Sequence, residues 1–172
     1  MTEHSSRRSA RGVVFIHSAP SALCPHVEWA LSNVLGEIPS LIWQAQPAVP
    51  GTHRSELAWQ GDPGSGSAIA SELRGWDMLR FEVTEEPTPR SEGARYSYVP
   101  ELGMHHAVIG VHGDVVIPES RIKSVREKAA RGDVGIEQAL DDLLGLDWDA
   151  ELEPFRYAGD GAPVRWLRDE VV

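Results

Sequence analysis

The fold of this chain is organised around one short apolar run, "GVVFIHS", at residues 12–18. A nearly continuous apolar run of this length is typical of a central strand that is buried on both faces of its sheet. After it, apolar residues recur at helical spacing from Cys24 to Ile38, with Gly36 close to the end of the pattern. We therefore predict a central strand followed by a helix over residues 23–35.

Three further strands and a second helix complete the first half of the chain. The segments "SLIWQAQ" (40–46) and "RSELAWQ" (54–60) alternate apolar and polar residues on either side of a Pro/Gly turn, which predicts a hairpin. The stretch "GDPGSGS" opens a helix over 67–75 with Ser67 as its N-cap. "MLRFEVTE" (78–85) alternates as a half-buried strand does. This β-α-β-β-α-β order predicts a ferredoxin-like sheet with strand order 4-1-3-2 and both helices on one face.

The second half is predicted to be an extension of this unit. "HHAVIGVHGDVVIP" (105–118) reads as a hairpin, and a helix begins at Pro118. The expected inward side chains of this helix and of the helix after Asp133 are Ile122, Val125, Ala129, Ile136, Leu140, Leu143 and Leu144. From residue 148 onward we expect irregular or extended chain that packs back on the domain.

The predicted fold class is therefore α+β: a ferredoxin-like sandwich with a C-terminal hairpin plus two-helix extension. Residues 1–11 are expected to be a disordered lead, 12–87 the ferredoxin-like unit, and 88–172 the extension. Whether the extension covers the open face of the sheet is left open by the sequence.

Composition narrows the class of protein. The chain has 172 residues, 41% of them apolar, which suits one domain with a real core. It has no run of eighteen apolar residues, so we expect no membrane span. The N-terminal "MTEHSSRRSAR" lacks the apolar region of a secretory signal, and a single cysteine excludes an internal disulfide. These features predict a cytoplasmic protein.

The charge of the chain is concentrated near its C-terminus. The net charge is −10, which argues against nucleic acid as a partner. Residues 133–153 carry eight Asp and Glu and no Lys or Arg. On the predicted helix, Glu137, Asp141 and Asp142 avoid the apolar stripe. We interpret them, with Trp148 beside them, as a surface that docks on a basic patch of a larger protein; a solvated surface is the alternative.

Cys24 is the foremost candidate for chemistry, but its neighbours argue against that role. On a helix, Cys24 shares a side with Val27 and Leu31, whereas His26 lies about 200° away, so a Cys–His pair would diverge. We therefore predict a buried structural cysteine. The alternative is that Cys24 is the N-cap, where a thiol pKa can be lowered. His26 and Trp29 share the opposite flank and are interface candidates, unless the C-terminal segment covers that tryptophan.

Two other motifs are weaker. His105, His106 and His112 form a cluster, but His106 and His112 could meet across the predicted hairpin only if its register allows. No third soft ligand lies near them at zinc-like spacing, so we predict neither a metal site nor a cofactor. The loop before the second helix lacks the Lys of a P-loop. Ser65, Gly66 and Ser67 are only weak candidates for anion binding at a helix N-terminus. No pair of carboxylates is placed as an acid and a base, so no catalytic residue is predicted.

Long stretches of the chain resemble a known family. The stretches are "GVVFIHSAPSALCPHVEWAL", "ELAWQG", "LRGWDMLRFEVTEEPTP", "HAVIGVHGDVVIPE" and "ELEPFRYAGDGAPVRWL". They are similar to the actinobacterial domain of unknown function 3145 family, from about residue 12 to the C-terminus. The resemblance implies a cytoplasmic actinobacterial protein, with a gene near those of fatty-acid synthesis in some members. It supplies no catalytic residues.

Three functions remain in view. The leading hypothesis is a non-enzymatic binding protein, an accessory or regulatory subunit of a larger cytoplasmic assembly, in fatty-acid or acyl-CoA metabolism. Its supports include aromatic residues outside the apolar stripes: Trp29, Trp148 and Trp166. The second is a small-molecule-sensing ferredoxin-like domain, by fold analogy alone. The third is an enzyme that uses Cys24 or a histidine.

Overall fold

The computed structural model describes residues 9–157 and shows a mixed α+β fold. In this part of the chain, one antiparallel sheet of seven strands is combined with five α-helices. The strands are β1 (Ala10–Pro20), β2 (Gln44–Ala45), β3 (Thr52–Gly61), β4 (Arg80–Glu85), β5 (Gly93–Val99), β6 (Gly103–Ile109) and β7 (Val115–Val116). The helices are α1 (Cys24–Leu35), α2 (Ser65–Leu73), α3 (Glu119–Ala130), α4 (Ile136–Leu144) and α5 (Leu146–Tyr157).

The first four strands lie in the order β2-β3-β1-β4, which is the order predicted from the β-α-β-β-α-β succession of elements. β1 is central, because it pairs antiparallel with β3 on one side and with β4 on the other. α1 and α2 contact each other, and the core that they share with the sheet includes Ile16, Leu31, Ile69, Leu73, Phe81 and Val83. The strand predicted over 40–46 is confirmed only at Gln44–Ala45. The N-cap of α2 is Gly64, so the prediction of Ser67 is wrong.

The sheet continues past β4, which the sequence interpretation missed. β5 pairs with β4 and then with the full length of β6. The predicted hairpin is present as β6 and β7, but only Val108 and Ile109 of β6 pair with β7. The hairpin is therefore part of the main sheet and not a separate unit. The sequence interpretation assigned no strand between the linker and the hairpin, and so it missed β5. Tyr96 and Tyr98 of β5 lie opposite Val83 and Phe81.

The end of the described chain is helical, so the prediction of irregular chain from residue 148 is wrong there. α5 begins with Asp147 and Asp149 in its first turn, where carboxylates favour a helix N-terminus. It buries Leu152 and Phe155. Pro154 lies inside the helix and removes one backbone donor, which explains why the pattern looked non-helical. Residues 158–172, with Trp166, lie outside the described residues, as do residues 1–8; β1 begins at Ala10, inside the predicted lead.

The inward stripe predicted for α3 and α4 is largely wrong. Val125 of α3 and Ala139 and Leu143 of α4 are buried and form a small second core with Ile117 and Val134. The predicted core residues Ile122, Ile136, Leu140 and Leu144 are instead 47%, 47%, 40% and 39% exposed. α4 turns Ala139 and Leu143 toward Val125 of α3. Ile136, Leu140 and Leu144, on the neighbouring side of the helix, are therefore left at the surface.

Candidate functional site

The second face of the sheet, opposite α1 and α2, carries a layer of polar side chains beneath α5. Cross-strand neighbours place Glu82 of β4 between Phe15 of β1 and Ser97 of β5. His105 of β6 lies opposite Ser97. α5 contacts both β1 and β5 and so covers the middle of this face.

Glu82 is the centre of this layer and is fully buried. Its Oε2 atom lies 2.7 Å from His17 Nε2 and 3.0 Å from Arg156 Nε. Its Oε1 atom accepts from Arg156 Nη2 at 2.5 Å and from Ser97 Oγ at 3.4 Å. Arg156 also donates to Asp149 Oδ1 at 2.9 Å. We call these five residues the Glu82 cluster: His17, Glu82, Ser97, Asp149 and Arg156.

The charges of the Glu82 cluster outweigh the cost of burying them. Burial alone would raise the pKa of Glu82, yet the hydrogen bonds and charges of His17 and Arg156 hold that pKa well below its usual value. Burial would likewise lower the pKa of Arg156, but Glu82 and Asp149 raise it above its usual value. The carboxylate and the guanidinium therefore both remain ionised, and a bidentate pair of this kind fixes orientation as well as distance.

Alternation along β1 places His17 on the same face of the sheet as Phe15 and Glu82. The pairing of β1 with β4 shifts register between Ile16 and Ser18, and the pairing with β3 shifts between Ile16 and Ala19. His17 lies in this irregular stretch but keeps the direction of Phe15, because the two rings stack with their centroids 5.9 Å apart. Its carbonyl oxygen accepts from Nε2 of the buried Gln46 at 2.7 Å, and the same amide nitrogen lies 3.4 Å from the Phe155 carbonyl oxygen.

A second contact fastens the start of α5 to β6. Trp148 Nε1 donates to the Gly103 carbonyl oxygen at 2.9 Å, and its ring lies 5.0 Å from that of His105. His105 Nε2 donates to the Leu143 carbonyl oxygen at 3.3 Å. Between α4 and α5, Gly145 has a φ of 75°, and an added Cβ would lie 2.6 Å from the His105 ring. Glycine is therefore required at this joint.

His105 is neutral at physiological pH. Burial is the main factor that lowers its pKa, and the charges of Arg95 and Arg121 lower it further. The hydrogen bond to Leu143 and the charge of Asp149 oppose this effect. Because Leu143 offers a carbonyl oxygen, the proton of the neutral ring lies on Nε2.

The chemistry of the Glu82 cluster is that of a structural clamp. His17 and Glu82 are buried, Arg156 is partly buried, and the three side chains satisfy one another. Within residues 9–157, no group of three or more His, Cys, Asp and Glu is arranged to hold a metal ion. The cluster joins β1, β4, β5 and α5, and so sets the position of α5 and of α4 before it. The sequence did not predict this cluster, because the polar face of an alternating strand gives the same pattern whether a helix or solvent covers it.

Cys24 and His26, which is two residues further along α1, have different surroundings. Cys24 is partly buried against the main core, whereas His26 is exposed and lies 6.0 Å from the ring of Trp76. Burial raises the pKa of the Cys24 thiol, and the charge of Glu28 raises it further. Trp29 is 59% exposed, so the described part of the chain leaves it available for a partner.

The loop before α2 already has an internal anion. The backbone N–H groups of Gly64 and Gly66 each donate to the Glu85 carboxylate at 2.9 Å. Ser65 and Gly66 are buried, and Ser67 is exposed. The prediction of weak anion binding at Ser65, Gly66 and Ser67 remains a prediction, with the added condition that an external anion must compete with Glu85.

The acidic residues of α4 face outward, but Trp148 does not accompany them. Glu137 and Asp142 are exposed, and Asp141 is half-buried. Gln138 donates to Asp142 at 2.9 Å along the helix. Trp148 is half-buried and packed on His105, so it holds α5 in place. His106, next to His105, points to the other face of the sheet and stacks on Tyr96 at 4.6 Å.

Comparison with known proteins gives a family but no function. None of the helices between residues 9 and 157 is both long and apolar enough to cross a membrane. Neither the curated proteins nor the solved structures gave a match to this chain. The family model described as "Protein of unknown function (DUF3145)" matches residues 13–169, which is most of the sequence. The chain therefore belongs to the DUF3145 family.

Proposed function

We propose that the chain is a non-enzymatic binding protein, an accessory or regulatory subunit of a larger cytoplasmic assembly, and that it docks through α4. One observation carries this proposal: α4 exposes a row of large aliphatic side chains next to carboxylates. We call the row the α4 ridge, which consists of Ile136, Leu140 and Leu144. Glu137 and Asp141 lie on the side of the helix that adjoins the ridge.

The α4 ridge is costly for an isolated protein. Exposed aliphatic side chains that adjoin one another are typical of interaction surfaces, whereas scattered ones are ordinary. The neighbouring Glu137 and Asp141 repel each other at i and i+4 by a few tenths of a kcal/mol. Residues 133–153 contain no Lys or Arg that would relieve this repulsion. A partner with an apolar centre and a basic rim would offset both costs.

The Glu82 cluster supports the proposal by holding this surface still. α5 is fixed to the sheet through Arg156, and α4 is joined to it through Gly145. A docking surface on a fixed element loses less conformational entropy when it binds.

The proposal also includes the scaffold that carries the α4 surface and the cellular context of the protein. We propose that β1 to β4, with α1 and α2, form a ferredoxin-like module that serves as the scaffold for the α4 surface. The family resemblance suggests an actinobacterial cytoplasm and fatty-acid or acyl-CoA metabolism as the context.

Capture from native lysate tests the proposal. The tagged chain is expected to retain a partner at low salt and to lose it progressively as salt rises, because exposed charges are screened. The double variant Asp141→Lys with Asp142→Lys should lose the partner. The control Glu72→Lys, an exposed carboxylate on α2, should keep it. A partner whose retention ignores both salt and the double reversal would contradict docking through α4.

A second candidate, small-molecule sensing, is favoured by one observation. A pocket of about 380 Å³ lies between the end of β4 and the β6–β7 turn. Its lining is mostly apolar and consists of Thr84, Glu85, Glu86, Pro87, Ala94, Ile109, Val111 and Gly113. A metabolite that raises the Tm of the wild type but not of Val111→Trp, which fills the rim, would favour this function over the first.

A further inference from the structure

We propose that the element that docks on the α4 ridge is an amphipathic helix of another protein, with an apolar stripe and a Lys- or Arg-rich flank. This inference rests on the proposed function, because it specifies what kind of surface α4 binds. The proposed function requires only a basic patch on the partner, whereas this inference specifies one helix with an apolar stripe and a basic flank.

The spacing of the ridge suits a helix. Ile136, Leu140 and Leu144 are four residues apart, so they form one row about 12 Å long at the helical rise of 1.5 Å per residue. Such i, i+4 rows are the ridges that fit the grooves of a second helix. The three side chains are similar in size and are 39–47% exposed, so the row has no gap along its length.

α4 already packs in this way on its neighbouring side. Ala139 and Leu143 contact the α3 residue Val125 in the second core. At 100° per residue, the ridge is centred about 80° around the helix from that buried pair. A helix placed there would lie beside α3, so that α4 would be flanked by two helices.

The carboxylates of α4 determine which charge the incoming helix carries on its flank. Glu137 and Asp141 are centred about 80° beyond the ridge, on the side away from the buried pair. An incoming helix that covers the ridge therefore brings one flank against these two carboxylates. Lys or Arg on that flank is favoured, and Asp or Glu would be repelled. An uncharged apolar helix would leave both carboxylates partly desolvated and unpaired, which is costly.

The test uses the full-length protein and a defined probe. The probe is a synthetic helical peptide of about 18 residues, or five turns, with Leu on one face and Lys on the other. One control peptide has the same composition in an order that forms no face, and the other has Glu in place of Lys. Binding is measured by fluorescence anisotropy at low and at high salt.

We expect only the Leu/Lys helix to bind, and Leu140→Ser to weaken it by about tenfold or more, as for a central apolar contact. Asp141→Lys should weaken binding at low salt and have less effect at high salt. The matched control is Ile38→Ser, because Ile38 is 83% exposed on the loop after α1 and is more accessible than Leu140. It should leave binding unchanged. Equal binding of the scrambled peptide, equal effects of the two serine variants, or no binding would overturn the proposal.

Two other occupants are separated by further measurements. A second copy could use its α3, which carries four Lys and Arg and the exposed Ile122. A dimer in sedimentation velocity that Leu140→Ser dissociates would show this. A photo-crosslinker at position 140 that reacts with residues 158–172 of the same chain would show an internal cover. Either result overturns the proposal of a foreign helix.

The outcomes also separate this inference from the proposed function. If a lysate partner depends on Asp141 and Asp142 but not on Leu140, the proposed function stands and the helix proposal fails. If the peptide behaves as expected but no partner is captured, the α4 surface stands and the role as a subunit fails.

Discussion

The two faces of the sheet are built on different physical principles. The face beneath α1 and α2 is apolar, with Ile16, Leu31 and Phe81 fully or almost fully buried. The face beneath α5 carries an ion pair between the buried Glu82 and the partly buried Arg156. Apolar contacts stabilise without strong direction, whereas a hydrogen-bonded charge pair is satisfied in one arrangement and is costly in others. The first face therefore supplies stability, and the second fixes the position of the C-terminal helices.

Breaking the ion pair should have the largest effect. We expect Arg156→Leu to lower the free energy of unfolding by about 3–5 kcal/mol, because it leaves Glu82 buried without its guanidinium partner. Urea denaturation followed by circular dichroism measures this change. On the apolar face, Leu31→Ala should cost about 2–5 kcal/mol through the cavity it creates. The exposed Arg126→Leu serves as a control and should change stability by at most about 0.5 kcal/mol.

A double variant distinguishes the two faces. Replacing both partners, as Glu82→Met with Arg156→Leu, removes the stranded charge and should recover much of the loss. The coupling energy follows from the double-mutant cycle. If the double variant is destabilised by the full sum of its single variants, then Glu82 and Arg156 are not coupled, and the clamp does not work as described.

The same contrast explains what the sequence predicted well. Apolar residues recur at period 2 in β4 and at helical spacing in α1, so the sequence of each element indicates which side is buried. These patterns define the succession of strands and helices, and that succession predicts the order β2-β3-β1-β4. The Glu82 cluster gives no such signal, because Glu82 belongs to the polar half of an alternating strand. His17 stands in an apolar run, and only the pairing of Phe15 with Glu82 shows that the face it shares with Phe15 is the polar one.

The misassigned ridge has a similar cause. Four large aliphatic residues marked one side of α4 as the interior, and hydrophobicity alone favours that assignment. The structure buries Ala139 on the side of Leu143 and leaves Leu140 exposed. Which side is buried was decided by α3 and by the joint at Gly145, and neither contact is encoded in the periodicity of α4. A large apolar side chain that tertiary packing leaves out is a reason to look for a partner.

Acid should weaken the polar face in two stages. The pKa of His105 is below its ordinary value of 6.5 in the folded chain, so the unfolded chain binds the proton first and stability falls as the pH drops below about 6.5. The pKa of Glu82 is held below its ordinary value of 4.5, so its contribution is present above about pH 4.5 and is lost below it. The groups that face His105 are Arg95, Arg121 and Asp149, and those that face Glu82 are His17, Ser97 and Arg156.

Unfolding free energies measured across this pH range check both stages. His105→Gln should reduce the upper stage and leave the part that comes from His106, whose pKa is also lowered by burial. Glu82→Gln should flatten the lower stage at a lower overall stability. His112→Gln is the control, because His112 is exposed on the β6–β7 turn. An upper stage that persists unchanged in His105→Gln would assign it to other groups.

The smallest effect is expected at the edge of the apolar face, where Cys24 begins α1. A thiol in the first turn of a helix is favoured as a thiolate by the backbone N–H groups, and such cysteines are often reactive. Here burial and the nearby Glu28 act against ionisation and raise the pKa of the thiol. Cys24→Ser should therefore cost at most about 1 kcal/mol, because a half-buried hydroxyl remains partly hydrated. The native thiol should react with a disulfide reagent at pH 8 more slowly than the same thiol in urea. An equal rate would show an exposed thiol, and a faster rate than in urea would show an activated one, which would make Cys24 a candidate for catalysis again.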